Sequence, residues 1–188
     1  MTETLTVETH IPFLEELLLP WRGVIKGDYQ GYRNHVYRMV QFTFAIKHMQ
    51  GGDLSEEDKK KIMIAAVFHD IGIWVKDTLD YLEPSLPAAM KYLEEHQMAH
   101  DKDEIRLMIT EHHKLREYKG DYQKMVELFR KGDLVDFSLT MVKFNLPKSY
   151  ITEMKNALPN AGFHLGLLKK GFKWFLRHPL NPVPMMKW

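Results

Sequence analysis

Along this chain, apolar side chains keep returning at steps of three and four residues, the spacing that lays them on one face of an α-helix. Between Tyr29 and Met49, the residues His35, Met39, Phe42, Ile46 and Met49 fall on one such stripe, and Gly51-Gly52 then supplies a stop. Ser55 with Asp58 three positions later has the form of a capping box. The helix it opens runs through Ile62-Met63-Ile64-Ala65-Ala66-Val67-Phe68, apolar on nearly every side and therefore central. Asp101 and Glu104 repeat the capping form ahead of a face made by Ile105, Met108, Ile109, His112 and Leu115. Asp121 begins a further helix, with Tyr122, Val126, Phe129, Asp133, Asp136 and Phe137 near one stripe. Shorter helices are expected at 11–18, 86–96 and 148–157, and a last one at about 161–177 before the tail HPLNPVPMMKW. Almost nothing alternates at period two for long enough to make a strand. The pattern predicts an all-α bundle.

Composition narrows what such a bundle can do. At 188 residues with 45% hydrophobic side chains, the chain suits one domain with a sizeable core. We find no repeat, no low-complexity segment and no linker. Lys plus Arg number 26 against 25 Asp plus Glu, so a net charge of +1 provides no global field for a nucleic-acid polymer or a membrane surface. The polar start MTETLTVETH has no secretory character, and no apolar run approaches a membrane span, so a cytoplasmic protein is expected. The absence of cysteine excludes disulfides, thiolate metal sites and thiol catalysis. Chemistry must therefore come from the ten histidines and the carboxylates around them.

Several of these sit where an apolar side chain belongs. His35 lies in the first stripe, His69-Asp70 ends the most apolar helix, and His112 and Asp133 lie in two further stripes. Taken singly, each has an ordinary explanation. His35 alone would be a hydrogen-bonded core histidine; His69-Asp70-Ile71-Gly72 could be a helix C-terminus; Asp133 could be a satisfied acid. Taken together they call for a cation, because a buried unpaired carboxylate costs several kcal/mol and bundle cores are where such side chains converge on metals.

The order His35 in YRNHVYRMV, His69-Asp70 in AAVFHDIG and Asp133 in FRKGDLVDF resembles the H…HD…D signature of the HD-domain superfamily of metal-dependent phosphohydrolases. The likeness covers roughly residues 25–140 as a motif-bearing core, with 141–188 as a helical extension of one HD-type domain spanning 1–188. It implies that His35, His69, Asp70 and Asp133 ligate a divalent ion and that a metal-activated water attacks a phosphate ester. The substrate would be a nucleotide or another small phosphorylated metabolite. Two imidazoles and two carboxylates suit Mn²⁺, Fe²⁺, Co²⁺, Ni²⁺ or Mg²⁺ better than Zn²⁺. Some members of the superfamily hold two metals through two further histidines. Here His112 fits the later one, and His113, about 100° round the helix, should face away. Ser85 stands where the earlier one is sought, so one ion per chain is expected, with two as the alternative.

Cations should line the phosphate pocket. Arg38, one turn after His35, and Lys76, six residues past Asp70, are assigned to it, with Lys114 and Arg116 as further candidates. Asp70 and His112 complete the expected catalytic set. Tyr32 could orient a ligand or pack, Asp136 could hold a ligand histidine, and His164 could reach the site. The aromatic, basic stretch GFHLGLLKKGFKWFLRHPLNP reads as a helix packed on the bundle, or covering the pocket mouth, or lying on a polyanion or anionic membrane. A homodimer is compatible with all of this. The alternatives to a hydrolase are a di-iron oxygenase on the same scaffold and a regulatory module that binds a metal or ligand without turnover.

Overall fold

A computed structural model describes residues 5–187. It is all-helical: α1 (Pro12–Leu18), α2 (Arg22–Ile25), α3 (Tyr29–Met49), α4 (Glu56–Phe68), α5 (Gly72–Val75), α6 (Leu82–Glu95), α7 (Lys102–Glu111), α8 (Gln123–Phe137), α9 (Lys148–Ala157) and α10 (Phe163–Arg177). Among the described residues there is no strand, only an isolated bridge between Lys114 and Lys187. No described helix is long and apolar enough to cross a membrane.

The centre of the bundle is α3 lying along α8, with α4 and α7 closing the other side. Their approach depends on Gly132: a Cβ there would collide with Thr43 Oγ1 and stand 2.9 Å from Met39 O. The missing side chain lets α8 sink against α3 and carries Asp133, the next residue, into the core. Ile62, Ile64, Ala65, Ala66 and Val67 of α4 are all fully buried, as their continuous apolar run requires. A second close contact follows α4. A Cβ at Gly72 would lie 2.5 Å from Tyr81 O and 2.9 Å from Ser85 N, so this glycine lets the start of α6 dock against the turn after Asp70. Ser85 Oγ accepts from the Gly72 amide there, which gives this serine a structural role in place of a metal-binding one.

Most element ends follow the sequence pattern, and the exceptions have local causes. Ser55 caps α4 by accepting from the Asp58 amide. Asp101 does not cap α7 in the same way: it belongs to a 3₁₀ turn, is buried and makes no capping bond. Helix α8 begins two residues after Asp121, because Tyr122 takes a left-handed conformation (φ 55°) that turns its ring to solvent. Helix α6 starts four residues earlier than expected; Pro84 sits in its first turn, where a missing N–H costs nothing. Met49, Leu115 and Phe137, the last residues of three predicted stripes, are at least partly exposed where each stripe leaves the core.

Candidate metal centre

Four helices and one turn bring the four predicted ligands together with His112. His35 comes from the middle of α3, His69 and Asp70 from the end of α4, His112 from the end of α7 and Asp133 from α8; all five are at least 96% buried. Each histidine arrives with one ring nitrogen already committed. His35 Nδ1 donates to Asp136 Oδ2 at 2.7 Å, His69 Nδ1 to Ala66 O at 2.7 Å and His112 Nδ1 to Ile109 O at 2.7 Å. In neutral rings these bonds fix the tautomer and leave Nε2 as a lone pair aimed into the centre.

The lone pairs and carboxylate oxygens then crowd one another. His35 Nε2 and His69 Nε2 are 3.1 Å apart, His69 Nε2 is 3.2 Å from Asp70 Oδ2, and Asp133 Oδ1 is 3.5 Å from His35 Nε2. Such facing acceptors repel unless a positive charge lies between them. Ligands bonded at about 2.1 Å to one ion stand about 3.0–3.4 Å apart at octahedral or tetrahedral angles, and these separations of 3.1, 3.2 and 3.5 Å lie in or just beyond that range. The longer pairs, His69 Nε2 to Asp133 Oδ1 at 3.8 Å and His35 Nε2 to Asp70 Oδ2 at 3.9 Å, correspond to wider angles. Among the described residues, just two buried side-chain atoms lack a hydrogen-bond partner, Asp70 Oδ1 and His112 Nε2, and they face each other at 3.5 Å. The donor set thus fits a divalent cation: His35, His69 and Asp70 could hold one between them, with Asp133 Oδ1 beside them at 3.5 Å from His35 Nε2.

Electrostatics agree. Burial, outweighing the neighbouring carboxylates, pushes His35 down to about 4, so its ring is neutral and able to ligate. Burial likewise raises Asp133 to about 7, with Asp70 and Asp136 adding to the effect, so without a cation the site takes up a proton instead.

Arg38 does not reach a substrate. Its guanidinium grips Asp136 through Nε (2.5 Å) and Nη2 (2.8 Å), and Nη1 donates to Leu158 O and Pro159 O. With Arg38 3% exposed, the pair forms a buried relay from the 158–159 turn through Asp136 to His35. Arg38 and the His35 ring overcome burial to keep Asp136 ionised. Lys76 lies exposed in the turn after α5, away from the cavity, and Arg116 is exposed too. Tyr32 packs: its hydroxyl donates to Val67 O and its ring stacks near His69.

No family model, curated protein or solved structure matches the chain. Its chemistry has to be read from the site itself.

Two groups enter the site that the periodicity did not assign to it. His113 is buried, not turned away to solvent, because Tyr81, Phe137 and the C-terminal tail pack over it. Its Nε2 accepts from the Tyr81 hydroxyl at 2.6 Å, and burial holds His113 well below its ordinary range, hence neutral, while raising Tyr81 well above its own. Tyr81 had given no signal, since it stands in a loop before α6 and meets His113 across 32 residues. Above the cluster, α10 supplies a roof: the Phe163 ring stacks on His35 with centroids 4.3 Å apart, and His164 Nε2 donates to Asp136 O. A cavity of about 520 Å³ opens from His35, Asp70 and Asp133 toward α10 and the tail that follows it.

Proposed function

We propose that the chain is a metal-dependent phosphohydrolase of the HD type, using one divalent ion held by His35, His69, Asp70 and Asp133. The observation that carries this reading is the set of three histidines whose Nδ1 atoms are tied back while their Nε2 atoms converge on two carboxylates. Charge supports a single ion: Asp136 is balanced by Arg38, which leaves Asp70 and Asp133 to balance one divalent cation. Oxygen and imidazole donors favour Mn²⁺, Fe²⁺, Co²⁺, Ni²⁺ or Mg²⁺ over Zn²⁺.

When bound, such an ion supplies a water of lowered pKa and offsets charge on phosphoryl oxygens. The protein's own groups do the rest. Asp70 Oδ1 and His112 Nε2 are both acceptors facing one space, so a water donating to both has its lone pair left for attack on phosphorus. The water oxygen bonds to phosphorus as one of its protons passes to His112 Nε2, the bond from phosphorus to the ester oxygen breaks, and the same proton passes on to the departing alkoxide. The Tyr81 hydroxyl and the His113 ring, hydrogen-bonded together at the cavity wall, orient the substrate's polar end.

A second reading, a dinuclear centre of the di-iron oxygenase kind, draws on the other face of Asp70, where His112 and His113 gather. It is weaker because His113 Nε2 is already engaged by Tyr81. Metal analysis of the purified, reconstituted protein separates the two: one equivalent supports the hydrolase, two iron equivalents the oxygenase. A panel of phosphate esters assayed with Mn²⁺, Co²⁺ and Ni²⁺ should show turnover that Asp70→Ala abolishes together with metal binding. Retained hydrolysis in Asp70→Ala, or no hydrolysis of any ester by metal-loaded protein, would sink the proposal.

A further inference from the structure

The cavity above the metal centre is the wrong kind of space for a highly charged substrate. Its floor is polar, formed by His35, Asp70, Asp133, His113 and Tyr81, but no Lys or Arg lines it anywhere. Of the buried cations near the floor, Arg38 is consumed by Asp136 and two carbonyls, and Arg130 by Glu127. A nucleoside di- or triphosphate placed here would leave most of its charge unanswered.

The rest of the cavity is apolar, and its apolar wall is exposed in a way a resting helix face is not. On α10, Leu168 is 70%, Phe172 64% and Phe175 46% exposed, and all three line the cavity. The opposite wall is the chain's tail, where Val183 and Met185 face the same space. That tail is clasped beside the floor: the Leu115 amide donates to Lys187 O at 2.8 Å, and Lys187 Nζ reaches Glu111 at 2.9 Å. The result is a concave slot, closed on two sides, polar at one end and hydrophobic along its length. At about 520 Å³ it has the size of a small-molecule site.

We infer that the substrate is an amphiphile, a phosphate ester of an alcohol bearing an alkyl or acyl tail, with the tail lying between α10 and the C-terminal strap. The inference rests on the hydrolase reading for which end of the molecule meets His35, Asp70 and Asp133. The cations of α10, Lys169, Lys170, Lys173 and Arg177, stand outside the slot's lining, and no acidic residue follows Glu153 in the sequence. They would favour an anionic molecule approaching the mouth without pairing with it inside.

The test is a series of n-alkyl phosphates of increasing chain length, kept below their micelle-forming concentrations and titrated calorimetrically into the metal-loaded full chain. Affinity should rise by about fourfold per methylene, until the slot is filled, and Phe172→Glu and Leu168→Glu should each flatten the series. Because both side chains are mostly exposed, thermal melts should show both variants folded. Equal affinity for every chain length, with inorganic phosphate still binding, would overturn the amphiphile and leave the hydrolase standing. A rising series with no phosphate released would uphold the slot and overturn the hydrolase. Binding confined to micelles or anionic vesicles, and absent for monomers, would make α10 a membrane-docking face and overturn the slot as a substrate site.

Discussion

Removing the metal should change how stability depends on pH, and the change can be worked out group by group. His35 and His113 are buried neutral, with folded values depressed below the ordinary histidine range. Each contributes stability that is present above about pH 6.5 and lost as pH falls, because the unfolded chain takes up the proton first. Asp133 acts oppositely. Its folded value is raised to about 7, so it stabilises the metal-free protein at low pH, and that contribution fades as pH rises through 7. Between about pH 4.5 and 6 the metal-free native state therefore binds one proton fewer than the unfolded chain. Its stability should climb by about 1.4 kcal/mol per pH unit. A bound cation displaces the Asp133 proton, the deficit becomes two protons, and the slope doubles to about 2.7 kcal/mol per unit. Over that window the two forms diverge by about 2 kcal/mol, or about 4–8 °C in Tm for a chain of this size. Thermal melts with and without chelator, repeated at half-unit steps of pH, measure the gap directly. Parallel curves would refute the reasoning, and so would a gap that survives Asp133→Asn.

Other perturbations follow from single contacts. Asp136→Asn leaves the Arg38 guanidinium buried without its carboxylate and should cost about 3–5 kcal/mol; it should also weaken metal binding about 10- to 100-fold through His35, read by denaturant melts and metal titration. Gly132→Ala drives a methyl group into Thr43 and should destabilise by about 1–3 kcal/mol, with Thr43→Ala restoring part of the loss; no loss in urea unfolding would show that α3 and α8 can separate freely. Tyr81→Phe leaves His113 Nε2 with no donor and should cost about 1–3 kcal/mol, visible as a lowered Tm with metal stoichiometry intact.

What could be read from the sequence was whatever a helical repeat exposes. His35, His69, Asp70 and Asp133 are polar residues at positions where the 3.6-residue period demands apolar ones, and the structure brings all four into one buried cluster. Asp136 could be suspected as a histidine's partner for the same reason. The period says which face a residue takes, not what other segments cover it. His113 lies about a third of a turn from His112, and what the period cannot show is that Tyr81, Phe137 and the tail cover that side of the chain as well. Arg38 was legible as a cation near His35 but not as the partner of a carboxylate 98 residues away, since nothing local encodes that meeting. The cavity was the least legible part. Its apolar wall comes from α10 and the strap, whose residues have ordinary helical and proline-rich patterns until folding sets them over the metal ligands.

The clasp between Leu115 and Lys187 has a practical side. It ties the last described residues of the chain to the turn that follows His112 and His113, so the surroundings of those two rings include the tail. A purification handle at the C-terminus would sit directly beside this clasp. One placed at the N-terminus, ahead of α1, would leave it alone.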